Sequence, residues 1–217
     1  MNPHRRIPSN YFYFAFPVLI ISFNCLLSRA LLLVYKDWTW IVLTLVYWST
    51  LWFGIWFLKN KIGVDYRSWW SLKNGFDLWA ILSIFAGFLT LPILLKNASV
   101  LGDLHWTLIA IWLLFSVINP FFEESFWRGF LIAYPIQLKA VYKIGLSVIF
   151  FCLSRMLIFG IISSNVSDPL LMALFFSATI WGITFHTGRN IFFTYLGHVV
   201  LDITLMMTYL WMDDIQL

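Results

Sequence analysis

Long blocks of hydrophobic residues alternate with short polar stretches along this chain. A transmembrane helix needs about 17–25 mostly apolar residues, because the hydrocarbon core of a bilayer is about 30 Å thick. Seven blocks reach that length, at residues 11–34, 38–58, 77–95, 104–125, 142–163, 169–186 and 190–211. The pattern therefore predicts an all-α fold, a polytopic bundle of about seven transmembrane helices.

The stretch between the fourth and fifth blocks does not fit this pattern. Residues 126–141, FWRGFLIAYPIQLKAV, are too short for a further span and contain Pro135. We interpret them as a continuation of the preceding helix followed by a turn at the membrane interface. No internal repeat, low-complexity segment or flexible linker interrupts the sequence, so residues 1–217 are interpreted as a single integral membrane domain.

Composition agrees with a membrane protein. Hydrophobic residues make up 61% of the 217 positions and charged residues only 11%, whereas about one quarter of a soluble domain is charged. The lipid bilayer is therefore the expected partner. The net charge of +4 comes from basic residues between the apolar blocks, and membrane topology explains that position better than binding of nucleic acid does.

The distribution of Lys and Arg predicts the orientation of the bundle. Basic residues concentrate in the cytoplasmic loops of membrane proteins, and one orientation of this chain places ten of them on one side and two on the other. The ten are Arg5, Arg6, Lys59, Lys61, Arg67, Lys73, Arg128, Lys139, Lys143 and Arg189, and the two are Lys36 and Lys96. We therefore predict a cytoplasmic N-terminus, an external C-terminus with Asp213 and Asp214, and location in the cell (inner) membrane.

Two adjacent carboxylates stand at the end of the fourth block, in PFFEESFWRGFL at residues 120–131. Burial of an unpaired charge is costly. On a helix Glu124 and Arg128 are four residues apart and share a face, which favours an ion pair, whereas Glu123 points about 100° away and is available for another task. The alternative is that the span ends at Phe122 and that both acids are solvated at the interface.

A second pair of ionisable residues, His198 and Asp202, stands in the last block, in FFTYLGHVVLDITL. The two are four residues apart on one helix face, so a structural histidine held by its neighbour is one interpretation. His198 also lies roughly 12 Å from the cytoplasmic edge, at 1.5 Å per helical residue. Ionisable residues at such a depth are candidates for function.

Arg155 is the third candidate, in SVIFFCLSRMLIFG. It lies roughly 18 Å into its span at 1.5 Å per residue, so it needs a buried partner. Glu123 and Asp202 are the candidate partners, either in a structural ion pair or in a site that binds substrate. His186 ends the sixth block and is interpreted as a solvated interfacial histidine. The sequence indicates no partner for Asn24, Arg29 or His105.

These motifs resemble those of the CPBP family, which comprises CAAX proteases and bacteriocin-processing (Abi) enzymes. PFFEESFWRGFL is similar to the glutamate-glutamate-x-x-x-arginine motif of these glutamic-type intramembrane endopeptidases. GRNIFFTYLGHVVLD is similar to their last motif, a histidine followed four residues later by Asn or Asp. The resemblance covers residues 115–205, within the part of the chain, 104–211, that carries the protease-like motifs.

The resemblance implies catalytic roles for these residues. Glu123 is implied to be the general base that activates water, with Glu124 and Arg128 in support. His198 and Asp202 are implied to position the reacting groups and to stabilise the oxyanion. The physics agrees, because a carboxylate partly desolvated by Phe and Trp is a better base near neutral pH, and donors on rigid helices stabilise a tetrahedral intermediate.

One position departs from the family's pattern. The middle motif of the family is Phe followed four residues later by His, whereas the aligned residues here are Phe151 and Arg155. Arginine cannot act as a base, and pairing with Glu123 makes that carboxylate a weaker one, but arginine can donate to an oxyanion or bind a substrate carboxylate. Three alternatives follow: a protease with altered chemistry, a subfamily with a distinct substrate, or an inactive relative. The position of His186 at a span end argues against its replacing the missing histidine.

The sequence therefore predicts an enzyme, an intramembrane endopeptidase that cleaves a membrane-anchored protein or peptide. The resemblance implies prenylated C-termini, bacteriocin or pheromone precursors, or C-terminal sorting tails as substrates. We predict no cofactor and no metal, because HExxH is absent and few ligands remain. Two alternatives are a non-catalytic scaffold or bacteriocin-immunity protein and a transporter, although the matched halves typical of many transporters are not visible. The sequence does not indicate the oligomeric state.

Overall fold

The computed structural model describes residues 10–34, 39–57, 59–60, 63, 66–70, 77–96, 105–134, 136–159 and 168–212. Seven helical segments follow one another in these residues. They are α1 (Asn10–Val34), α2 (Thr39–Phe57), α3 (Leu78–Ala86, the 3-10 turn Gly87–Thr90 and Leu91–Lys96), α4 (Trp106–Glu123, the π-helical Glu124–Phe130 and Leu131–Ala133), α5 (Ala140–Ser154 and the π-helical Arg155–Phe159), α6 (Asp168–Gly188) and α7 (Phe192–Met212). A short 3-10 helix, Tyr66–Trp70, lies between α2 and α3.

The seven helices confirm the predicted all-α polytopic bundle. Each overlaps one of the hydrophobic blocks, and in the described part of the chain five segments are long and apolar enough to cross a bilayer. They are Tyr11–Val34, Thr39–Phe57, Trp106–Ala133, Ala140–Ile158 and Pro169–Gly188, and two shorter apolar helices are Leu78–Thr90 and Phe192–Leu205. The chain is thus an integral, multi-pass membrane protein.

The orientation of the bundle in the membrane stays a prediction. Several residues on which that prediction depends lie outside the described ranges. They are Arg5, Arg6, Lys36, Lys61, Lys73, Asp213 and Asp214.

The helix that carries the acidic motif continues beyond the fourth hydrophobic block, as predicted. It runs through its π-helical segment to Ala133. Phe126, Trp127 and Phe130 are fully buried and the segment packs against α2 and α5, while its expected position at the membrane interface stays a prediction. Pro135 lies outside the described residues. The acidic motif is therefore held inside the protein.

Two glycines let α3 and α7 approach each other closely. A Cβ atom at Gly197 would overlap the carbonyl group of Ser83, and one at Gly87 would overlap the carbonyl group of Gly197. Trp181 of α6 donates its indole N–H to the same Ser83 carbonyl at 3.0 Å. Small residues permit such backbone contact between membrane helices, whose association depends on van der Waals packing. The contact also sets the position of His198, the residue after Gly197.

Gly197→Ala is expected to destabilise the bundle by about 1–3 kcal/mol, because the new methyl group meets backbone atoms that cannot rotate away. Thermal unfolding of the purified protein in detergent measures the change. Gly145→Ala is the matched control: its Cβ contacts nothing within 4 Å, and alanine is the better helix former. Equal stability of the two variants would contradict the close α3–α7 contact.

Two of the residues for which the sequence indicated no partner have structural roles. Asn24 donates to Thr50 Oγ1 at 3.2 Å and so links α1 to α2. His105 caps α4, with its Nδ1 atom accepting a hydrogen bond from the Thr107 backbone N–H at 3.4 Å. Arg29 is exposed on α1.

Candidate active site

Three helices bring the six candidate residues into one buried cluster. All six are at most 3% exposed, so the alternative in which both glutamates are solvated at the interface is wrong. The helices α4 and α5 are π-helical where they meet the cluster, a departure from α-helix that is frequent at functional sites. The six are Glu123, Glu124 and Arg128 from α4, Arg155 from α5, and His198 and Asp202 from α7.

Both oxygens of the Glu123 carboxylate accept hydrogen bonds. Tyr47 on α2 donates its hydroxyl to Oε1 at 2.8 Å. The other oxygen, Oε2, accepts from Arg155 Nη2 at 2.5 Å and from Asn119 Nδ2 at 3.1 Å. Its position on the helix predicted that Glu123 is free of other partners, but both of its oxygens already accept hydrogen bonds. One of these donors must withdraw before a water molecule can bind to the carboxylate.

Arg155 contacts Glu123, Asp202 and His198 rather than a single carboxylate. Its Nη2 atom lies 2.5 Å from Glu123 Oε2, 2.9 Å from Asp202 Oδ1 and 2.7 Å from His198 Nε2. Both carboxylates named as candidate partners are thus in contact with it. Because a guanidinium nitrogen only donates, the contact with His198 is a hydrogen bond when Nε2 is unprotonated. The proton of the neutral ring then lies on Nδ1, which is 2.7 Å from Glu124 Oε1.

The ion pair predicted from the spacing of Glu124 and Arg128 is confirmed. Arg128 Nη1 lies 3.0 Å from Glu124 Oε1, and both side chains are fully buried. The guanidinium carbon also lies 4.4 Å from the ring centroid of Phe151 and 5.2 Å from that of Trp181. Among the described residues no hydrogen-bond acceptor is correctly aligned with the Arg128 nitrogens, so its charge is balanced by the ion pair and the two aromatic faces.

The imidazole of His198 lies between the two glutamates. Its Nδ1 is 2.7 Å from Glu124 Oε1 and its Nε2 is 3.3 Å from Glu123 Oε2, so both carboxylates reach one ring. The ring stacks on Trp181 with the centroids 4.7 Å apart. Its distance to Asp202 Oδ1 is longer, 3.5 Å. The predicted contact between His198 and Asp202 within α7 is therefore present, but the contacts of His198 with the two glutamates are shorter.

Two polar residues outside the two motifs, Asn119 and Tyr47, complete the cluster. Asn119 donates to Glu123 Oε2 at 3.1 Å and to Asp202 Oδ2 at 2.8 Å, and so joins α4 to α7. Tyr47 joins α2 to the same glutamate. Asn119 has a signal in the sequence, because it is a polar residue one helical turn before Glu123 in an apolar block. Tyr47 has none, because it is one of several aromatic residues in its block.

His186 does not take the place of the missing histidine. It is half-buried near the end of α6, where the charged groups that act on it are Lys143 and Arg189. Arg155 fills the position beside Glu123 instead.

A cleft of about 400 Å³ opens between α2 and α4 beside the cluster. Its lining residues are Leu45, Trp48, Ser49, Trp52, Phe121 and Phe122. Trp48 donates its indole N–H to Asn119 Oδ1 at 2.9 Å, and Asn119 in turn contacts Glu123. One layer of side chains, Trp48 and Asn119, thus separates this cleft from the candidate base.

Three members of the cluster are of the types that bind metal ions. One ligand atom each from Glu123, His198 and Asp202 lie within 4.8 Å of one another. The Nη2 atom of Arg155 is within hydrogen-bonding distance of all three residues. A positive charge from the protein itself therefore lies where these ligands converge.

Residues 105–204 match the family described as Type II CAAX prenyl endopeptidase Rce1-like. This is a family of membrane proteases, and the match confirms the resemblance seen in the two motifs. It extends from the start of α4 into α7 and includes all six candidate residues and Asn119, but not Tyr47. No curated protein and no solved structure matches the chain.

Proposed function

We propose that this chain, whose residues 105–204 match the Rce1-like CAAX endopeptidase family, is an intramembrane endopeptidase in which Glu123 activates water. The observation that supports the proposal is the buried juxtaposition of Glu123 Oε2 and His198 Nε2, 3.3 Å apart on two packed helices. The substrate is a protein or peptide in or near the cell membrane, such as a prenylated C-terminus, a bacteriocin-like precursor or a C-terminal sorting tail.

The reaction begins when Arg155 releases both Glu123 Oε2 and His198 Nε2. Because Asp202 Oδ1 also binds Arg155 Nη2, at 2.9 Å, the guanidinium keeps one carboxylate partner as it leaves the other. A water molecule then donates one hydrogen to Glu123 Oε2 and the other to His198 Nε2, and these two acceptors orient its oxygen towards the scissile carbonyl carbon.

The remaining steps use the same groups. Glu123 takes a proton from the water as the oxygen attacks the carbonyl carbon, and Arg155, held by Asp202, donates to the oxyanion that forms. The C–N bond then breaks, and the proton passes from Glu123 to the leaving amine. Glu124 and Arg128 neutralise each other and hold the histidine ring, and Asn119 keeps Glu123 and Asp202 in register.

A non-catalytic scaffold or bacteriocin-immunity protein with the same fold is the second candidate. It is favoured by the state of Glu123, which is fully buried and accepts hydrogen bonds from three donors. In this function the contact between Glu123 and Arg155 is a structural link between α4 and α5.

A comparison of Glu123→Gln and Arg155→His with the wild type tests the proposal. Glutamine retains the size of Glu123 and can accept the Tyr47 hydrogen bond, but it cannot take a proton from water. Cleavage is expected to fall by about 100-fold or more in Glu123→Gln, whereas Arg155→His, which restores the family's residue, preserves or increases it. The readout is the mass of candidate membrane-anchored substrates in cells, with the amount of each variant measured in parallel.

Arg29→Gln is the matched control, because it removes an exposed charge from α1. It is expected to leave both cleavage and accumulation unchanged. If no substrate changes mass in any variant and Glu123→Gln only lowers the amount of protein, the scaffold function replaces the protease.

A further inference from the structure

Three basic side chains lie together where α5 begins and α6 ends. Lys143 is in the first turn of α5, His186 is in the last turn of α6, and Arg189 follows that helix. The two helices pack closely near this end, since a Cβ atom at Gly182 would lie 2.9 Å from Ile144 Cγ2. The charges of Lys143 and Arg189 both act on His186, and that of Arg189 acts on Lys143. We call these three side chains the basic corner.

The basic corner has no acidic partner in the part of the chain that the structure describes. None of its three residues forms an ion pair there. The Lys143 ammonium donates instead to the uncharged backbone carbonyl of Tyr134, at 2.8 Å, which leaves two further N–H groups for another acceptor. Because like charges held close together repel each other, the basic corner favours the binding of an anion.

The backbone of Arg189 has an unusual conformation. Its φ angle is 51°, and within the described ranges it is the only residue other than glycine with a positive φ. Its N–H ends α6 by donating to the Phe185 carbonyl at 2.8 Å, in a position that glycine usually occupies. The exposed guanidinium lies 5.9 Å from the Phe185 ring centroid. Strained backbone of this kind is often found at functional sites, so an arginine here indicates that its side chain has a task.

The basic corner lies at the level where a bilayer presents its phosphate groups. The candidate spans of α5 and α6 begin at Ala140 and end at Gly188, which places the corner at the edge of the hydrocarbon region. The Nδ1 atom of His186 is buried and has no hydrogen-bond partner among the described residues, and such an atom is usually satisfied by water or a ligand. Basic pockets between transmembrane helices bind anionic head groups, to which arginine and lysine both donate.

We infer that Lys143, His186 and Arg189 form a binding site for the phosphate of an anionic phospholipid head group. A lipid fits better than free phosphate, because Val141 and Tyr142, at the same end of α5, expose 66% and 60% of their surface and offer apolar contact to acyl chains. The inference does not depend on the proposed protease function, since lipid binding is measured without any substrate.

Lipid binding by charge variants of the basic corner tests the inference. Wild type, Lys143→Gln and Arg189→Gly are purified in detergent and freed of bound lipid. Binding of phosphatidylglycerol is titrated by native mass spectrometry, and thermal unfolding is measured with and without it. Phosphatidylcholine and inorganic phosphate are tested at the same concentration. Lys59→Gln is the matched control, because it removes one exposed positive charge next to α2 and outside the basic corner.

The expected result separates the corner from the rest of the basic surface. Wild type prefers phosphatidylglycerol to phosphatidylcholine and unfolds at a higher temperature when phosphatidylglycerol is bound. Lys143→Gln and Arg189→Gly each weaken this binding by about fivefold, the effect of one basic residue near an anionic surface, and Lys59→Gln leaves it within about twofold. Without lipid, Arg189→Gly unfolds at no lower temperature than wild type, because glycine adopts the left-handed conformation without steric cost.

Three outcomes would overturn the inference. If Lys59→Gln weakens binding as much as Lys143→Gln does, the lipid is attracted by the basic surface in general and not by a site. If Arg189→Gly binds phosphatidylglycerol normally but unfolds at a lower temperature without lipid, the arginine has only a structural role. If inorganic phosphate stabilises the wild type as much as phosphatidylglycerol does, the site binds free phosphate and not a lipid.

Discussion

Arg155→Met is expected to lower the free energy of unfolding by about 3–5 kcal/mol, the typical cost of removing one partner from a buried ion pair. Methionine is similar in length to the arginine stem, so the loss is mainly one of charge. It leaves the carboxylates of Glu123 and Asp202 buried on α4 and α7 without the guanidinium that both contact. Like charges in a medium of low dielectric constant repel each other strongly.

A second substitution separates the loss of charge from a general packing defect. Glu123→Gln in the Arg155→Met background removes one of the two buried carboxylate charges that the first substitution leaves unpaired, while Tyr47 keeps its hydrogen bond. The double variant is therefore expected to be more stable than Arg155→Met alone. Thermal unfolding in detergent measures the stability of both variants. If the double variant is less stable than either single variant, the destabilisation comes from lost packing and the electrostatic explanation is wrong.

Arg128→Met has the second large effect, a loss of about 3 kcal/mol or more in the free energy of unfolding. Two contributions add to this loss. The substitution leaves the fully buried Glu124 without its ion-pair partner at 3.0 Å, and it removes a cation from the faces of Phe151 and Trp181. Because Glu124 also supports the histidine ring, the effect extends to the position of His198.

A double-mutant cycle with Glu124→Gln checks this result. Residues in direct contact are not additive, so the double variant is expected to lose clearly less than the sum of the two single variants. Arg29→Met, an exposed arginine on α1, is the control and should change stability by less than about 0.5 kcal/mol. Strict additivity of Arg128→Met and Glu124→Gln would contradict a coupled buried pair.

The helices of this protein could be predicted from the sequence because the length of each hydrophobic block is sufficient to identify a transmembrane helix, whatever the rest of the chain contains. The bilayer imposes a minimum length and forbids unpaired backbone groups, so a block of that length has few alternatives to a helix. Local spacing also predicted the pair of Glu124 and Arg128, since four residues along a helix bring two side chains together whatever surrounds them. The π-helical form of Glu124–Phe130 and Arg155–Phe159 could not be predicted, because no sequence pattern in these segments distinguishes it from α-helix.

Contacts between side chains on different helices could be predicted from the sequence only in part. Arg155 needed a buried carboxylate, and only a few such groups lie in the apolar blocks, so Glu123 and Asp202 could be named as candidates. Their simultaneous contact with one guanidinium nitrogen could not be inferred, nor could the hydrogen bond from Tyr47. These contacts join helices that are far apart in the sequence, and nothing in the spacing within one helix encodes which faces meet.

The sequence by itself thus determines the number and type of the helices, because these depend on the thickness of the bilayer. It also determines which charged residues lie within the helices and the ion pair inside α4, because that pair depends on spacing over one helical turn. Only the tertiary structure shows that Glu123 already accepts hydrogen bonds from Tyr47, Arg155 and Asn119. The same holds for the contacts of Arg155 with Asp202 and His198, and for the link that Asn119 makes between α4 and α7. They depend on distances between α2, α4, α5 and α7, and those distances are set by close packing such as the glycine contact between α3 and α7.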